Sequence, residues 1–344
     1  MSDDAEVSQG WDPRFKEALF DGDHFRNFVM EWPELQPVAD NFFTNFGRAH
    51  LLLGLVADVS VLSSLVQLSV HDARAEFGLN RLGPLSPEKD EKVRKRAEEI
   101  YNGKIANHDE MWQTLHRNLG SLVHAFKMDS QLEVLFSGVV INAWTAFEMA
   151  ATDLWVEAVN LRPKPLAMGA IEWKYKADDK GDALDQKGAS GEKGPVLTFI
   201  QNLVESDEPV LAGSMLRRTG RFDFARFATA KAAYRNAFGI KPEFFKQDPF
   251  LYLEVLDAVR NALVHRAGRV DRMFLSRVKG SLTKPSHPED PEASKFVELG
   301  LGAVKLNEVI RVDGVMVHTF IQAVYDATFS LMNAVDEWYK KNPE

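Results

Sequence analysis

Asp248-Pro249-Phe250-Leu251-Tyr252-Leu253-Glu254-Val255-Leu256-Asp257-Ala258-Val259-Arg260-Asn261-Ala262-Leu263-Val264-His265-Arg266-Ala267-Gly268 carries the signals of a helix with both ends marked. Asp248 is the expected N-cap and Pro249 the first helical residue, where a missing N–H costs nothing. Gly268 supplies the stop. Tyr252, Leu256, Val259 and Leu263 recur at i, i+4, i+7 and i+11, a stripe that must face a core. Asp257, Asn261 and His265 follow one another at four-residue spacing on a mixed face that suits a cleft or a partner surface.

The same periodicity extends outward. Apolar residues recur at three- and four-residue spacing around residues 35–78, 87–127, 129–161, 196–205, 222–238, 249–267 and 317–340, which predicts a mainly α protein. The best strand signal is Val304 to Val317, expected as a small hairpin turning at Asp313-Gly314. Arg81 to Glu88, Lys174 to Gly194 and Gly280 to Ser294 read as loops, the second as a flexible one. Residues 87–102 alternate charge sign as a solvent-exposed helix does. Residues 1–128 are read as an N-terminal helical region of unassigned role and 129–344 as a second helical domain.

Composition narrows the function classes. The 344 residues hold 45% hydrophobic and 26% charged side chains, ordinary for a globular chain, and no cysteine, which removes disulfides, zinc knuckles and thiol catalysis. An acidic start (Asp3, Asp4, Glu6) is unlike a secretion signal, so cytoplasmic residence is expected. Asp58, Ser60, Ser63, Ser64 and Gln67 interrupt the apolar stretch Leu51 to Val70, which reads as a buried helix rather than a membrane span. His-Glu-x-x-His, Gly-x-Ser-x-Gly, Walker and Gly-x-Gly-x-x-Gly motifs are all missing. His71-Asp72, His108-Asp109-Glu110 and the aspartates Asp178, Asp179, Asp182 and Asp185 are read as solvent, structural or linker residues. No metal and no cofactor is expected.

Charge is unevenly distributed over a chain of net charge -9. Residues 211–241 carry seven basic side chains against Asp223, and residues 258–280 carry six against Asp271. Basic ground therefore surrounds the helix quoted above, as a polyanion site requires.

Arg260 and His265 lie about 140° apart around a helix of 3.6 residues per turn, within reach of a swinging arginine. This pair matches a metal-free cleavage of RNA by its own 2′-hydroxyl. That reaction needs a base for the 2′-OH proton, an acid for the 5′-oxygen and positive charge on the pentavalent phosphate. Histidine serves the first two needs and an arginine fork the third. His265 stands in the last turn, where the helix dipole favours a cation. Asn261, one turn earlier, can hold the imidazole or a phosphate oxygen.

Ala258-Val259-Arg260-Asn261-Ala262-Leu263-Val264-His265 resembles the signature helix of the HEPN superfamily, in its RiboL-PSP-type or Apea-like branches, where an Arg and a His are separated by four to six residues. The spacing occurs three times here, at Arg260/His265, Arg117/His124 and Arg311/His318. Only the first has the bounded helix, the polar neighbour Asn261 and the basic flanks together. The resemblance, which covers residues 129–344, implies a dimerising helical bundle acting as a metal-independent endoribonuclease, typically in toxin–antitoxin or antiviral defence systems. It implies that Arg260 and His265 are catalytic and Asn261 supports them. Glu148, on the long apolar helix 132–161, is expected to pair with Arg260 and orient it. Arg266, Arg269 and Arg272 are the expected RNA contacts. The expected partners are RNA, a second copy of the chain and an antitoxin or regulator, with no membrane. Two alternatives remain open: a catalytically inactive nucleotide- or RNA-binding module of the same fold, and a helical scaffold of an unrelated family.

Overall fold

A computed structural model describes residues 28–79, 85–106, 129–179, 198, 200, 202–204, 211–219, 222–282, 299, 301 and 304–343. It is mainly helical, as expected from the periodicity. We label the helices α1 (Gln36–Glu76), α2 (Pro87–Ala106), α3 (Asp129–Leu161), α4 (Pro163–Asp179), α5 (Ala212–Arg218), α6 (Phe227–Phe238), α7 (Asp248–Arg266), α8 (Arg272–Leu282) and α9 (Gly314–Lys341). Short 3-10 turns, Pro33–Leu35 and Pro242–Lys246, precede α1 and α7.

The chain divides into two compact units. The smaller draws on described residues within 50–139 and 312–318, the larger on those within 28–49, 140–311 and 319–343. In the smaller unit α2 packs on the end of α1 through Ala73, Val93 and Ala97, with Val70, Leu79, Leu85 and Ile100 around them. Val93 and Ala97 stand one turn apart on an otherwise charged helix, so a single thin stripe is enough to seat it. Arg96 binds Glu76 at 2.6 Å and Lys104 binds Asp72 at 2.6 Å beside that seam. Asp72 is thereby used as an ion-pair partner.

The larger unit holds the aromatic core. Trp144, Phe147 and Trp155 of α3 are fully enclosed, together with Phe227, Tyr234, Phe245, Phe250, Phe320 and Tyr339. The polar atoms of Trp155, Tyr234 and Tyr339 are satisfied by backbone carbonyls of neighbouring helices, as burial demands. Trp155 Nε1 donates to Ala233 O at 3.2 Å, Tyr234 Oη to Ala151 O at 2.8 Å, and Tyr339 Oη to Ala158 O at 2.8 Å. Residues 133–161 are long and apolar enough to cross a membrane by length and composition. Their buried residues Ala143, Trp144, Phe147, Ala150, Ala151, Leu154 and Trp155 instead face the protein interior.

Two close backbone approaches set the helix spacing. A Cβ on Gly213 of α5 would stand 3.0 Å from Val156 Cα and overlap the Val156 carbonyl oxygen, and one on Gly169 of α4 would stand 2.8 Å from Asn236 O of α6. Beside the first, Asn160 and Ser214 exchange two hydrogen bonds, Nδ2 to Oγ at 3.3 Å and Ser214 N to Oδ1 at 3.2 Å.

Several expectations are corrected. The start of α7 falls one residue earlier: Gln247, extended at φ -69° and ψ 152°, is the N-cap, and Asp248 is helical. No hairpin forms at Val304–Val317. Asp313-Gly314 opens α9, with Asp313 Oδ1 accepting Met316 N–H at 2.9 Å, because an Asp followed by a small residue caps a helix as readily as it turns a hairpin. Residues 307–310 pair instead with 268–270: Val270 N–H to Glu308 O, Asn307 N–H to Val270 O and Ile310 N–H to Gly268 O, each 2.9 Å. The loop expected from Lys174 begins later, since α4 continues to Asp179; its remainder lies outside the described residues, as do His108 to Glu110 and the Arg117/His124 pair.

Candidate functional site

Helix α7 supplies most of the site. It is buried nearly all round from Leu253 to Val259 and emerges at its last turn, where Val264, His265 and Arg266 are exposed. Its end is held firmly. Ala267 adopts the left-handed conformation at φ 51° and ψ 42°, Gly268 follows at φ 77°, and Gly268 N–H returns to Ala262 O at 2.9 Å. The short pairing of 268–270 with 307–310 then fixes the chain beyond.

A cleft of about 390 Å³ opens beside this end, lined by α7 residues Arg260, Asn261, His265 and Arg266, by Arg226 and Asp223 before α6, and by Asp271, Met273 and Arg277 at α8. The two basic stretches of the sequence thus meet in one place, Arg226 from the first and Arg260, Arg266 and Arg277 from the second. Four arginines face two aspartates, so the cleft is positive within a negative chain.

Asp257 organises the floor. Only 5% exposed, its Oδ1 accepts Asn261 Nδ2 at 2.6 Å and its Oδ2 accepts Phe227 N–H at 3.2 Å, with Arg277 Nη1 at 3.8 Å. Phe227 is the first residue of α6, whose N-cap Arg226 makes no side-chain cap bond, so a carboxylate from α7 satisfies one of that terminus's orphan donors. Burial pushes the Asp257 carboxyl above its ordinary range, opposed by the Phe227 N–H, Arg277, Asn261 and Arg260. Asn261 Oδ1 in turn accepts Arg260 Nη1 at 3.0 Å. Arg260 Nε is buried without a hydrogen-bond partner among the described residues.

Arg260, Asn261, His265 and Arg266 share the cleft lining as the sequence reading placed them, although Asn261 is engaged by Asp257 and Arg260 rather than by the imidazole. Arg266 forms an ion pair with Asp271, which also caps α8 through Phe274 N–H at 2.6 Å. Arg269 and Arg272 are exposed and stand outside the lining. The expected Glu148–Arg260 pair is not formed. Glu148 Oε2 accepts Trp144 Nε1 at 3.2 Å, one turn back on its own helix, while Arg260 turns to Asn261. Sequence reasoning missed Asp257, Arg226 and Arg277 as site residues. The i, i+4 spacing of Asp257 and Asn261 was the available signal. The pairing with the start of α6 had none, because it is a long-range contact. The chain matches no family model, no curated protein and no solved structure.

Proposed function

We propose that this cleft is the active site of a metal-independent endoribonuclease of HEPN type, working as a cytoplasmic homodimer in a toxin–antitoxin or other defence system. The observation that supports the reading is the shared lining of one positive cleft by Arg260, Asn261 and an exposed His265. A phosphodiester entering it meets arginine forks suited to its non-bridging oxygens and an imidazole suited to proton transfer. The 2′-oxygen attacks phosphorus after giving its proton to a base, the bond to the 5′-oxygen breaks, and that oxygen takes a proton from an acid. The products are a 2′,3′-cyclic phosphate and a 5′-hydroxyl. A single imidazole cannot act as base and acid at the same moment, so a second copy would supply the other one. Val264 and Met273, 45% and 57% exposed at and beside the cleft, offer apolar surface where that copy could sit.

The competing reading, an inactive nucleotide- or RNA-binding module of the same fold, is favoured by the engagement of Arg260 with Asn261 and of Arg266 with Asp271. Cleavage of RNA in the presence of a chelator separates the two. The nuclease reading requires that Arg260→Ala and His265→Ala proteins stay folded and lose cleavage. Full activity in folded His265→Ala protein would end it.

A further inference from the structure

We infer that Asp257 is a positioning residue for Arg260, acting through the side-chain amide of Asn261; the inference rests on the cleft being a phosphate-handling site. Asp257 Oδ1, a carboxylate oxygen, accepts Asn261 Nδ2 at 2.6 Å, so the amide turns its nitrogen inward. Its oxygen is then fixed outward, where it accepts Arg260 Nη1 at 3.0 Å. An inverted amide would set oxygen against oxygen on one side and NH₂ against guanidinium on the other. Asp257 therefore decides which way Asn261 faces, and Asn261 decides where the Arg260 fork rests.

The carboxylate is itself immobile, being 5% exposed and anchored by Phe227 N–H at 3.2 Å. The chain Phe227 N–H, Asp257, Asn261, Arg260 thus joins the start of α6 to the guanidinium that faces the cleft. An asparagine at 257 breaks it for a countable reason. Two donors, Phe227 N–H and Asn261 Nδ2–H, point at the side chain, and an amide has one acceptor oxygen. Asn261 must then turn over and present its NH₂ group to Arg260, which releases the fork.

Nitrogen-15 NMR of the arginine side chains in the full chain tests this, with wild type, Asp257→Asn, Asn261→Ala and the double variant compared. Wild type should show hindered rotation of the Arg260 guanidinium, and each variant free rotation. Affinity for inorganic phosphate should fall on the order of tenfold in either single variant, the lower end of what losing one hydrogen bond to a charged group costs. The double variant should fall no further, because both substitutions cut one chain. A residue that only stabilised the fold would leave Arg260 ordered. Free rotation in wild type, an ordered Arg260 in Asp257→Asn, or losses that multiply in the double variant would each overturn the inference. The wild-type measurement decides even if Asp257→Asn fails to fold. Failure of the wild-type protein to cleave RNA would remove the nuclease reading and leave the Arg260 result standing.

Discussion

Substituting Gly213 by Ala forces a methyl group into the backbone of α3. The new Cβ would lie 3.0 Å from both Cα and C of Val156 and closer still to its carbonyl oxygen, and none of these atoms belongs to a side chain that can swing away. Helix α5 must therefore withdraw. Overpacking of this kind costs roughly 1–3 kcal/mol. Withdrawal also strains the paired Asn160–Ser214 hydrogen bonds at 3.3 and 3.2 Å, each worth about 0.5–1.5 kcal/mol. Against this, exchanging glycine for alanine inside a helix returns about 1 kcal/mol. The net loss is about 1–5 kcal/mol, at least a roughly fivefold shift toward the unfolded state. Urea denaturation followed by circular dichroism measures it. Gly47→Ala and Gly103→Ala are the controls: both are helical, and among the described residues no atom outside their own helices lies within 4 Å of the added Cβ. These should gain about 0.5–1 kcal/mol. A Gly213→Ala protein as stable as the controls would refute the close approach of α5 to α3.

Ala267→Gly relieves a left-handed alanine at φ 51° and should raise stability by about 0.5–1 kcal/mol, read as a higher urea midpoint; a lower midpoint would mean that the α7 terminus is not left-handed there. Asp336 accepts Glu31 N–H at 3.0 Å, and burial raises its carboxyl above the ordinary 3.8, opposed by the backbone N–H groups of Glu31 and Trp32 and by Lys340, while the Glu31 charge adds to the rise. A raised acid favours the folded state most below pH 3.8, and that contribution is lost as pH rises through the folded value. The stability of wild type relative to Asp336→Asn should therefore decline as pH rises from 3 to 6 on the order of the upward shift. A difference that grows over this range would contradict the assignment.

How much of this was legible in sequence depended on the reach of each interaction. Helix α7 was readable because Asp248-Pro249 and Gly268 act within a few residues of the ends they mark, and even there the cap fell one residue early. Asp313-Gly314 was misread because the dipeptide serves two local structures, and the choice between them is made by the apolar run from Val315 onward that α9 buries. Glu148 was misassigned because a half-buried carboxylate announces that it needs a donor without saying which; Trp144 on its own helix met the need. Asp257 looked like part of a mixed face. Its burial and its hold on α6 follow from packing between elements 30 residues apart, which no local pattern encodes. Charge counting located the two basic stretches but not their meeting, which required the fold to bring Arg226 beside Arg260.

The most direct test of the proposed chemistry is single-turnover cleavage of an RNA oligonucleotide by the purified full chain in a chelator, compared with the same oligonucleotide carrying one 2′-deoxy residue at the scissile position. The account predicts cleavage of the all-RNA strand to a 2′,3′-cyclic phosphate end, no cleavage at the deoxy position, and loss of cleavage in folded His265→Ala protein. Cleavage at the deoxy position, or unchanged cleavage without His265, would contradict it.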